Sequence, residues 1–270
     1  MRFDLHVHSN CSDGSDTPEE LVALAAATGL QGISITDHDS IDAYQPEVFA
    51  LAAKLDLKLL PGIELSTEWE EQTVHLLGYA IDYQSTKLRT FLKELIRRRQ
   101  ERNRAMLEKL AKKGMYITED ELNPVGGQKR TIGRPHIAHA MLQKGYVSSL
   151  QEAFEKYLRE GAPCFVAGIK YKPEEGIQII REVGGKAVLA HPHFIKKGKM
   201  LNHLLSLPFD GIECYYSLLL PDQEAPWIEL AKKKGWIATG GSDYHGKFKP
   251  NIQLGCSWVN EETLDLLLSK

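Results

Sequence analysis

Nine side chains of metal-binding type are spread along this 270-residue chain: His6, His8, Asp13, His38, Glu64, His75, His191, Asp243 and His245. Between Arg2 and His8, apolar Phe3, Leu5 and Val7 alternate with Asp4, His6 and His8. That is the period of a strand, so the two imidazoles share a face. Asp13 follows in a loop rich in Ser, Asn, Asp and Gly, from which a carboxylate can fold back over the strand end. A lone His-x-His is more often structural than functional, because histidine is of intermediate burial. Repetition changes the weighing. Histidine, aspartate and glutamate without cysteine suit borderline to hard divalent ions such as Mn²⁺, Fe²⁺ or Zn²⁺, and a carboxylate can bridge two ions. Nine ligands are too many for one metal.

The elements that must position these groups alternate between β and α. A first strand ends on His6 and His8. Thr17 to Glu20 then reads as a capping box with proline at the first helical position, and Gly29 closes that helix. The second strand, Gly32 to Thr36, ends on Asp37-His38-Asp39. A helix near Glu47 to Lys54 leads to a third strand, Leu57 to Leu60, and to Pro61-Gly62-Ile63-Glu64. Thr73 to Ala80 forms a fourth strand carrying His75. The rhythm breaks near Ser85, and from 87 to 163 the pattern is helical and charged, a helical insertion. It returns with a helix from Pro173, a strand Lys186 to Ala190 before His191, a strand Gly211 to Cys214, a helix near Glu224 to Lys234, and a strand Trp236 to Thr239 before Asp243 and His245. In a parallel α/β barrel the carboxyl ends of strands converge on one face, which is where these residues fall.

Length and composition are compatible with that architecture. With 43% hydrophobic residues, 270 residues can build one α/β barrel or two modest domains. Cys11, Cys164, Cys214 and Cys256 are far apart, which suggests neither a disulfide framework nor a thiolate zinc site and favours a reducing cytoplasm. No basic-then-apolar leader and no bilayer-length apolar run is present, so no membrane partner is expected. Residues 87–113 hold eleven Lys or Arg against three Glu, in a chain of net charge −3. A basic block beside an acidic body suggests an anionic ligand held between cations and metal ligands, although a solvated helix face explains it equally well.

Taken in order, His6-x-His8 with Ser12-Asp13-Gly14, Thr36-Asp37-His38, Pro61-Gly62-Ile63-Glu64, His75, Ala190-His191-Pro192 and Gly241-Ser242-Asp243-x-His245 resemble the polymerase and histidinol phosphatase (PHP) superfamily of metal-dependent phosphoesterases. The resemblance covers nearly the whole chain, and its ordered set of motifs is specific where each alone is weak. It implies a distorted (β/α)₇ barrel from residues 1–86 and 164–270, with an insertion subdomain, 87–163, covering the active site. It also implies three metal ions per chain, with Mn²⁺ the first expectation and Fe²⁺, Zn²⁺ or Mg²⁺ as alternatives. One ion would use His6, His8, Glu64 and Asp243; a second, Glu64 as bridge with His75 and His191; a third, Asp13, His38 and His245. No ligand is missing, which speaks against a degenerate, non-catalytic PHP domain.

Within the insertion, Arg98-Arg99-x-x-Arg102-Asn103 and Gly133-Arg134-Pro135-His136-Ile137-Ala138 resemble the small stand-alone PHP phosphatases that remove the 3′-phosphate of nucleoside 3′,5′-bisphosphates. Relatives of that group trim short RNA from the 5′ end. The resemblance implies Arg99, Arg102, Asn103 and Arg134 as substrate-binding residues, with a nucleotide or short oligonucleotide as partner and no duplex nucleic acid. The residues themselves agree in one respect. Leu88, Phe91, Leu92, Leu95 and Ile96, then Met106, Leu107 and Leu110, make an apolar helical stripe, and Arg99 and Asn103 occupy its register where apolar residues are expected. A phosphate or a structural carboxylate would satisfy them equally well. Arg134 begins a helix, a natural anion site.

The chemistry expected is metal-assisted phosphoester hydrolysis: ions lower the pKa of a bound water from 15.7 toward about 7, and no protein nucleophile is needed. A 5′-3′ exonuclease on short RNA and a histidinol-phosphatase-like enzyme are the alternatives. An amidohydrolase, or a nucleic-acid-binding module that would explain the basic helix but not nine ligands, is more distant. No Gly-x-Ser-x-Gly elbow supports a Ser-His-Asp triad. His139 and His203 are assigned to packing, and His193 is left open between a site contact and packing. Asp37 and Asp39 are expected to orient His38 or the strand end, with Glu213 a weaker site candidate.

Overall fold

Helix formation begins where the sequence places it. Thr17 Oγ1 accepts from the Glu20 amide at 3.1 Å and Glu20 Oε2 from the Thr17 amide at 2.8 Å, the reciprocal cap that starts α1 (Pro18–Ala27). In this computed structural model, residues 1–70, 72–122, 131–167, 171–195 and 198–269 are described. Positions 123–130 of the expected insertion lie outside the described residues. Before α1 comes β1 (Phe3–Val7); after it come β2 (Gly32–Ile35), α2 (Pro46–Lys54), β3 (Lys58–Leu59), β4 (Gly62–Trp69) and β5 (Gln72–Tyr79). Helices α3 (Thr86–Ala111), α4 (Arg134–Gln143) and α5 (Leu150–Ala153) follow. The remainder is α6 (Pro173–Glu182), β6 (Lys186–Leu189), α7 (Lys199–Ser206), β7 (Gly211–Tyr216), α8 (Pro221–Lys234), β8 (Ile237–Gly241) and α9 (Glu261–Leu268).

The fold is α/β, and its strands form two sheets. One is parallel, in the order β1-β2-β3; the other runs β4-β5-β6-β7-β8, with β5 antiparallel to both neighbours and the rest parallel. Among the described residues the strands of the expected distorted (β/α)₇ barrel do not join as one hydrogen-bonded sheet. The sheet edges meet through short bridges at the site end. His38 pairs with Glu64 and Val7 with Tyr244, and the Asp243 amide donates to the His6 carbonyl at 2.8 Å.

Strand β4 is the main departure from the sequence reading. Pro61-Gly62 reads as a turn that would leave Glu64 at a strand end, but Gly62 begins an eight-residue strand paired with β5 from Gly62–Tyr79 to Trp69–Gln72. Ile63, Leu65 and Trp69 alternate with Glu64, Ser66 and Glu68, the period of a strand masked by the turn dipeptide before it. Glu64 nonetheless reaches the level of the other strand ends, because its bridge to His38 sets the register there.

Helix α3 spans 26 residues, about 39 Å at 1.5 Å per residue. Its Leu88, Leu92 and Leu95 enter the main core with Ile33, Ile63, Leu76 and Ile180. Its Met106, Leu107 and Leu110 enter a second apolar cluster with Ile137, Met141, Leu158 and Cys164. Between the two, buried Arg99 and Asn103 face inward. Most of the basic block lies on the outside, and four of its members are ion-paired there: Arg97 with Glu94 and Glu101, Arg98 with Glu94, Arg104 with Glu119, Lys87 with Glu182. Such exposed pairs are screened by solvent and make a solvated face, not a ligand site. Among the described residues no helix is long and apolar enough to cross a membrane.

Candidate metal centre and anion pocket

Strand β1 is buried on both faces, so its alternation does not separate core from solvent. Phe3 and Leu5 pack into an apolar cluster with Leu77, Val188 and Val259, while Asp4, His6 and His8 face a polar interior. Asp4 accepts from the amides of Ser242 and Gly255, both at 2.8 Å, and so ties β1 to the segment that carries Asp243. Burial pushes its carboxyl up to about 6. Gly241 permits this closeness, since a Cβ there would lie 2.3 Å from the His6 amide.

All nine sequence-identified residues come together at this end of the strands. Glu64 is central: its carboxylate lies 3.4 Å from His6 Nε2, 3.1 Å from His8 Nε2, 3.1 Å from His38 Nδ1, and 3.0 Å from both His75 Nδ1 and His191 Nε2. Asp243 Oδ1 is 3.5 Å from His6 Nε2 and 3.3 Å from His8 Nε2. Asp13 lies 3.3 Å from His245 Nε2, 3.5 Å from His8 Nδ1 and 3.7 Å from His38 Nε2. His8 thus turns one ring nitrogen to each side, and His38 lies between Asp13 and Glu64. His191 and Asp243 hold φ of 26° and 56°, uncommon for residues with a Cβ and typical of strained functional positions.

The donor set fits divalent cations. His6 Nε2 faces His8 Nε2 at 3.1 Å and His75 Nδ1 faces His191 Nε2 at 3.2 Å, contacts between nitrogens that need a proton or a cation between them. The buried Nδ1 atoms of His8 and His38 have no hydrogen-bond partner. Two donors each roughly 2.0–2.2 Å from one ion stand roughly 2.8–3.6 Å apart in tetrahedral or octahedral geometry, which is the spacing found here. Electrostatics point the same way. Burial would raise the pKa of Asp13, Glu64 and Asp243, yet the surrounding imidazoles, with Lys249 at Asp243, hold all three well below the carboxylate range. Burial would lower His8, yet Asp243, Glu64 and Asp13 lift it to about 9. Cations binding here would take the place of those imidazole protons.

Several groups the sequence left at the margin support the cluster. Glu213, the weaker candidate, is buried and accepts from His6 Nδ1 and from the His191 amide, both at 2.7 Å. It fixes the His6 ring with Nε2 turned to the cluster. Tyr216 donates to Asp243 Oδ2 at 2.6 Å and Lys249 lies 2.5 Å from the same oxygen. Neither was singled out from sequence; Lys249 stands close behind the Asp243-x-His245 motif, the one signal available. Asp37 accepts from the Ser9 amide and from the hydroxyls of Ser9 and Ser12, so it secures the loop after β1 rather than His38. His193 packs on Tyr216 and Phe194. His139 contacts Gln143 and Phe248, and His203 pairs with Glu174 against Trp69, as ordinary packing.

Above the cluster is a cavity of about 340 Å³ lined by Asp13, His38, His75, His245 and Lys249 below and by Arg99, Arg102, Arg134 and Phe154 above. Arg99 is committed to a structural carboxylate: its guanidinium bonds Asp39 and, at 2.8 Å, Ser66 Oγ. Asn103 donates to the Ile132 carbonyl at 3.1 Å and accepts from Arg102 at 2.8 Å, and thereby holds the entry to α4. Arg134 opens that helix, and among the described residues neither it nor Arg102 has an ion-pair partner. Burial, then Arg99 and Arg134 beside it, push the Arg102 guanidinium's pKa down; burial does the same to Arg134, opposed by the Glu160 carboxylate and helped by Arg99. An anion placed between them would relieve both.

A family model for the PHP domain matches residues 4–162. The chain is 34% identical over 262 residues to the 5′-3′ exoribonuclease Rnm of Salmonella typhimurium, covering 94% of this chain and 88% of that protein. It is 33% identical over 248 residues to the 3′,5′-nucleoside bisphosphate phosphatase of Chromobacterium violaceum, covering 90% and 87%. Among solved structures, a protein from Bifidobacterium adolescentis described as a metal-dependent phosphoesterase superposes with a TM-score of 0.88 at 28% identity, covering 98% and 95%.

Proposed function

The chain belongs to the PHP domain family and is a metal-dependent phosphoesterase, and from that premise we propose that it removes the 3′-phosphate of nucleoside 3′,5′-bisphosphates. The observation that carries this reading is the pairing of two anion sites. The histidine–carboxylate cluster forms the floor of the cavity, and two guanidiniums that have no ion-pair partner among the described residues, Arg102 and Arg134, project from its roof. A bisphosphonucleotide has a phosphate for each. The second reading, 5′-3′ cleavage of short RNA, is favoured by the Rnm relative and uses the same two sites.

In this mechanism His6, His8, Glu64 and Asp243 would hold one ion, Glu64, His75 and His191 a second, and Asp13, His38 and His245 a third, with Mn²⁺ preferred. When bound, the ions supply a water of lowered pKa and neutralise charge on the phosphoryl oxygens. Glu213 keeps His6 in the tautomer that leaves Nε2 free, and Tyr216 orients Asp243 by its hydroxyl. Arg102 and Arg134 grip the second phosphate, a fork-shaped contact that lysine cannot reproduce. Arg99 and Asn103 act on substrate through the wall they hold in place. The same reading treats 87–163 as a subdomain roofing the site and the two sheets as parts of a distorted (β/α)₇ barrel, supported by the His38–Glu64 and Val7–Tyr244 bridges. It places the protein in the cytoplasm and gives it no duplex nucleic acid as partner.

The test is one turnover profile of the Mn²⁺-loaded protein on nucleoside 3′,5′-bisphosphates, mononucleotides, histidinol phosphate, short 5′-phosphorylated RNA and simple amides, with duplex binding measured alongside. Highest kcat/KM on the bisphosphates supports the proposal. Tight, salt-sensitive duplex binding with no hydrolysis under any metal would refute it.

A further inference from the structure

A second, smaller chamber opens on the far side of His75. Its volume is about 260 Å³, and Val74, Ile195, Met200 and Phe194 give it an apolar flank. Thr73, His75 and Arg134 border both this chamber and the larger cavity. The two therefore adjoin beside the histidine–carboxylate cluster, with Arg134 on the boundary they share. The chamber falls just below the ~300 Å³ at which pockets begin to hold a whole small ligand, so it suits one flat ring system.

Phe194 is 60% exposed at the edge of this chamber. Its ring is nonetheless held from behind, by His193 at 4.2 Å, His191 at 5.5 Å and Tyr216 at 5.6 Å, the last edge-on. Core packing does not account for a ring left this open, and neither the metal-type cluster nor the arginines use it. A braced aromatic beside a phosphoester site offers a stacking platform, and stacking tolerates any base because every base has a π-face.

Resting on the nucleotide reading above, we propose that this chamber is a base-stacking subsite with Phe194 as its platform, and that it receives the nucleobase beyond the scissile phosphate. A bisphosphonucleotide carries no base on that side, whereas a 5′-phosphorylated dinucleotide does. In the dinucleotide, water adds to phosphorus and the bond to the 3′-oxygen of the first nucleoside breaks. That oxygen takes a proton, and the second nucleotide departs with a 5′-phosphate. Phe194 is then a specificity-determining residue that registers the presence of a second base and not its identity.

The experiment uses the Mn²⁺-loaded full chain and two 5′-phosphorylated dinucleotides, one with 2-aminopurine as second base and one abasic there. The expected result is fluorescence quenching on binding and a higher kcat/KM for the substrate that has the base. Phe194→Ala should cut that preference roughly five- to two-hundredfold, the range of aromatic–base stacking, while Phe194→Trp retains it. Equal handling of the two dinucleotides by the unaltered protein, or full quenching and preference in Phe194→Ala, overturns the subsite. Quenching reads binding without turnover. Quenching that depends on Phe194 in the absence of cleavage upholds the subsite and faults the substrate reading instead.

Discussion

Replacing Glu213 by glutamine tests whether the cluster depends on a carboxylate that touches no substrate. Glu213 accepts two hydrogen bonds inside the protein, from His6 Nδ1 and from the His191 amide, both at 2.7 Å. Glutamine has nearly the same shape but only one accepting oxygen. If that oxygen serves His6, the half-buried His191 amide loses its acceptor and the glutamine NH₂ protons point at it, a penalty of up to about 1–3 kcal/mol. If the oxygen serves His191, the NH₂ group faces His6 Nδ1, and the imidazole must move its proton to Nε2. That nitrogen lies 3.1 Å from His8 Nε2 and 3.4 Å from Glu64, where a cation is expected. Either outcome weakens the cluster. Loss of such an outer partner lowers metal affinity about 10–100-fold, or about 1.4–2.7 kcal/mol. Calorimetric Mn²⁺ titration of the metal-free protein measures it, and ¹⁵N spectra of the His6 ring report the tautomer. Unaltered Mn²⁺ affinity with the His6 proton still on Nδ1 would refute the reasoning.

Two further outcomes are expected. Glu64→Gln removes the charge shared by five imidazoles and should lower hydrolysis at least ~100-fold with reduced metal content, while the far-ultraviolet spectrum is preserved; near-normal turnover at full metal loading would overturn the assignment. Arg134→Ala should lower the kcat/KM ratio of bisphosphonucleotide to mononucleotide by roughly ten- to two-hundredfold, from a charge-assisted bond of about 1.5–3 kcal/mol, with Arg134→Lys between. Equal slowing of both substrates would show that Arg134 does not read the second phosphate.

Much of the site was legible because its residue types recur at the ends of β-like runs, and local pattern suffices to see that. Most of the nine ligand-type residues could be picked out for this reason, while His75 inside β5 and Asp13 in the loop after β1 join them from elsewhere; the Thr17 cap and Gly29 stop of α1 needed only local rules. Arg99 and Asn103 stood out as polar interruptions of an apolar helix face, but their partners did not. Asp39 is 60 positions from Arg99, and Ile132 is 29 from Asn103, so only the folded chain pairs them. Glu213 was undervalued because its work is done through His6 and His191, and nothing in the sequence around it records that contact. Strand β4 was hidden by a Pro-Gly pair that ordinarily ends strands.

Helix α3 acts as a beam anchored at both ends, one in each apolar cluster, and propped at mid-span by the Arg99–Asp39 strut. Raising the roof would mean bending a continuous helix, drawing one end from its socket or stranding a charge in the interior. The part of the roof that carries Arg99 and Arg102 is therefore a braced helix rather than a free loop. On the function proposed above, flexible single strands and free nucleotides would thread edgewise into the gap beneath it, and a rigid double helix would be turned away at the threshold.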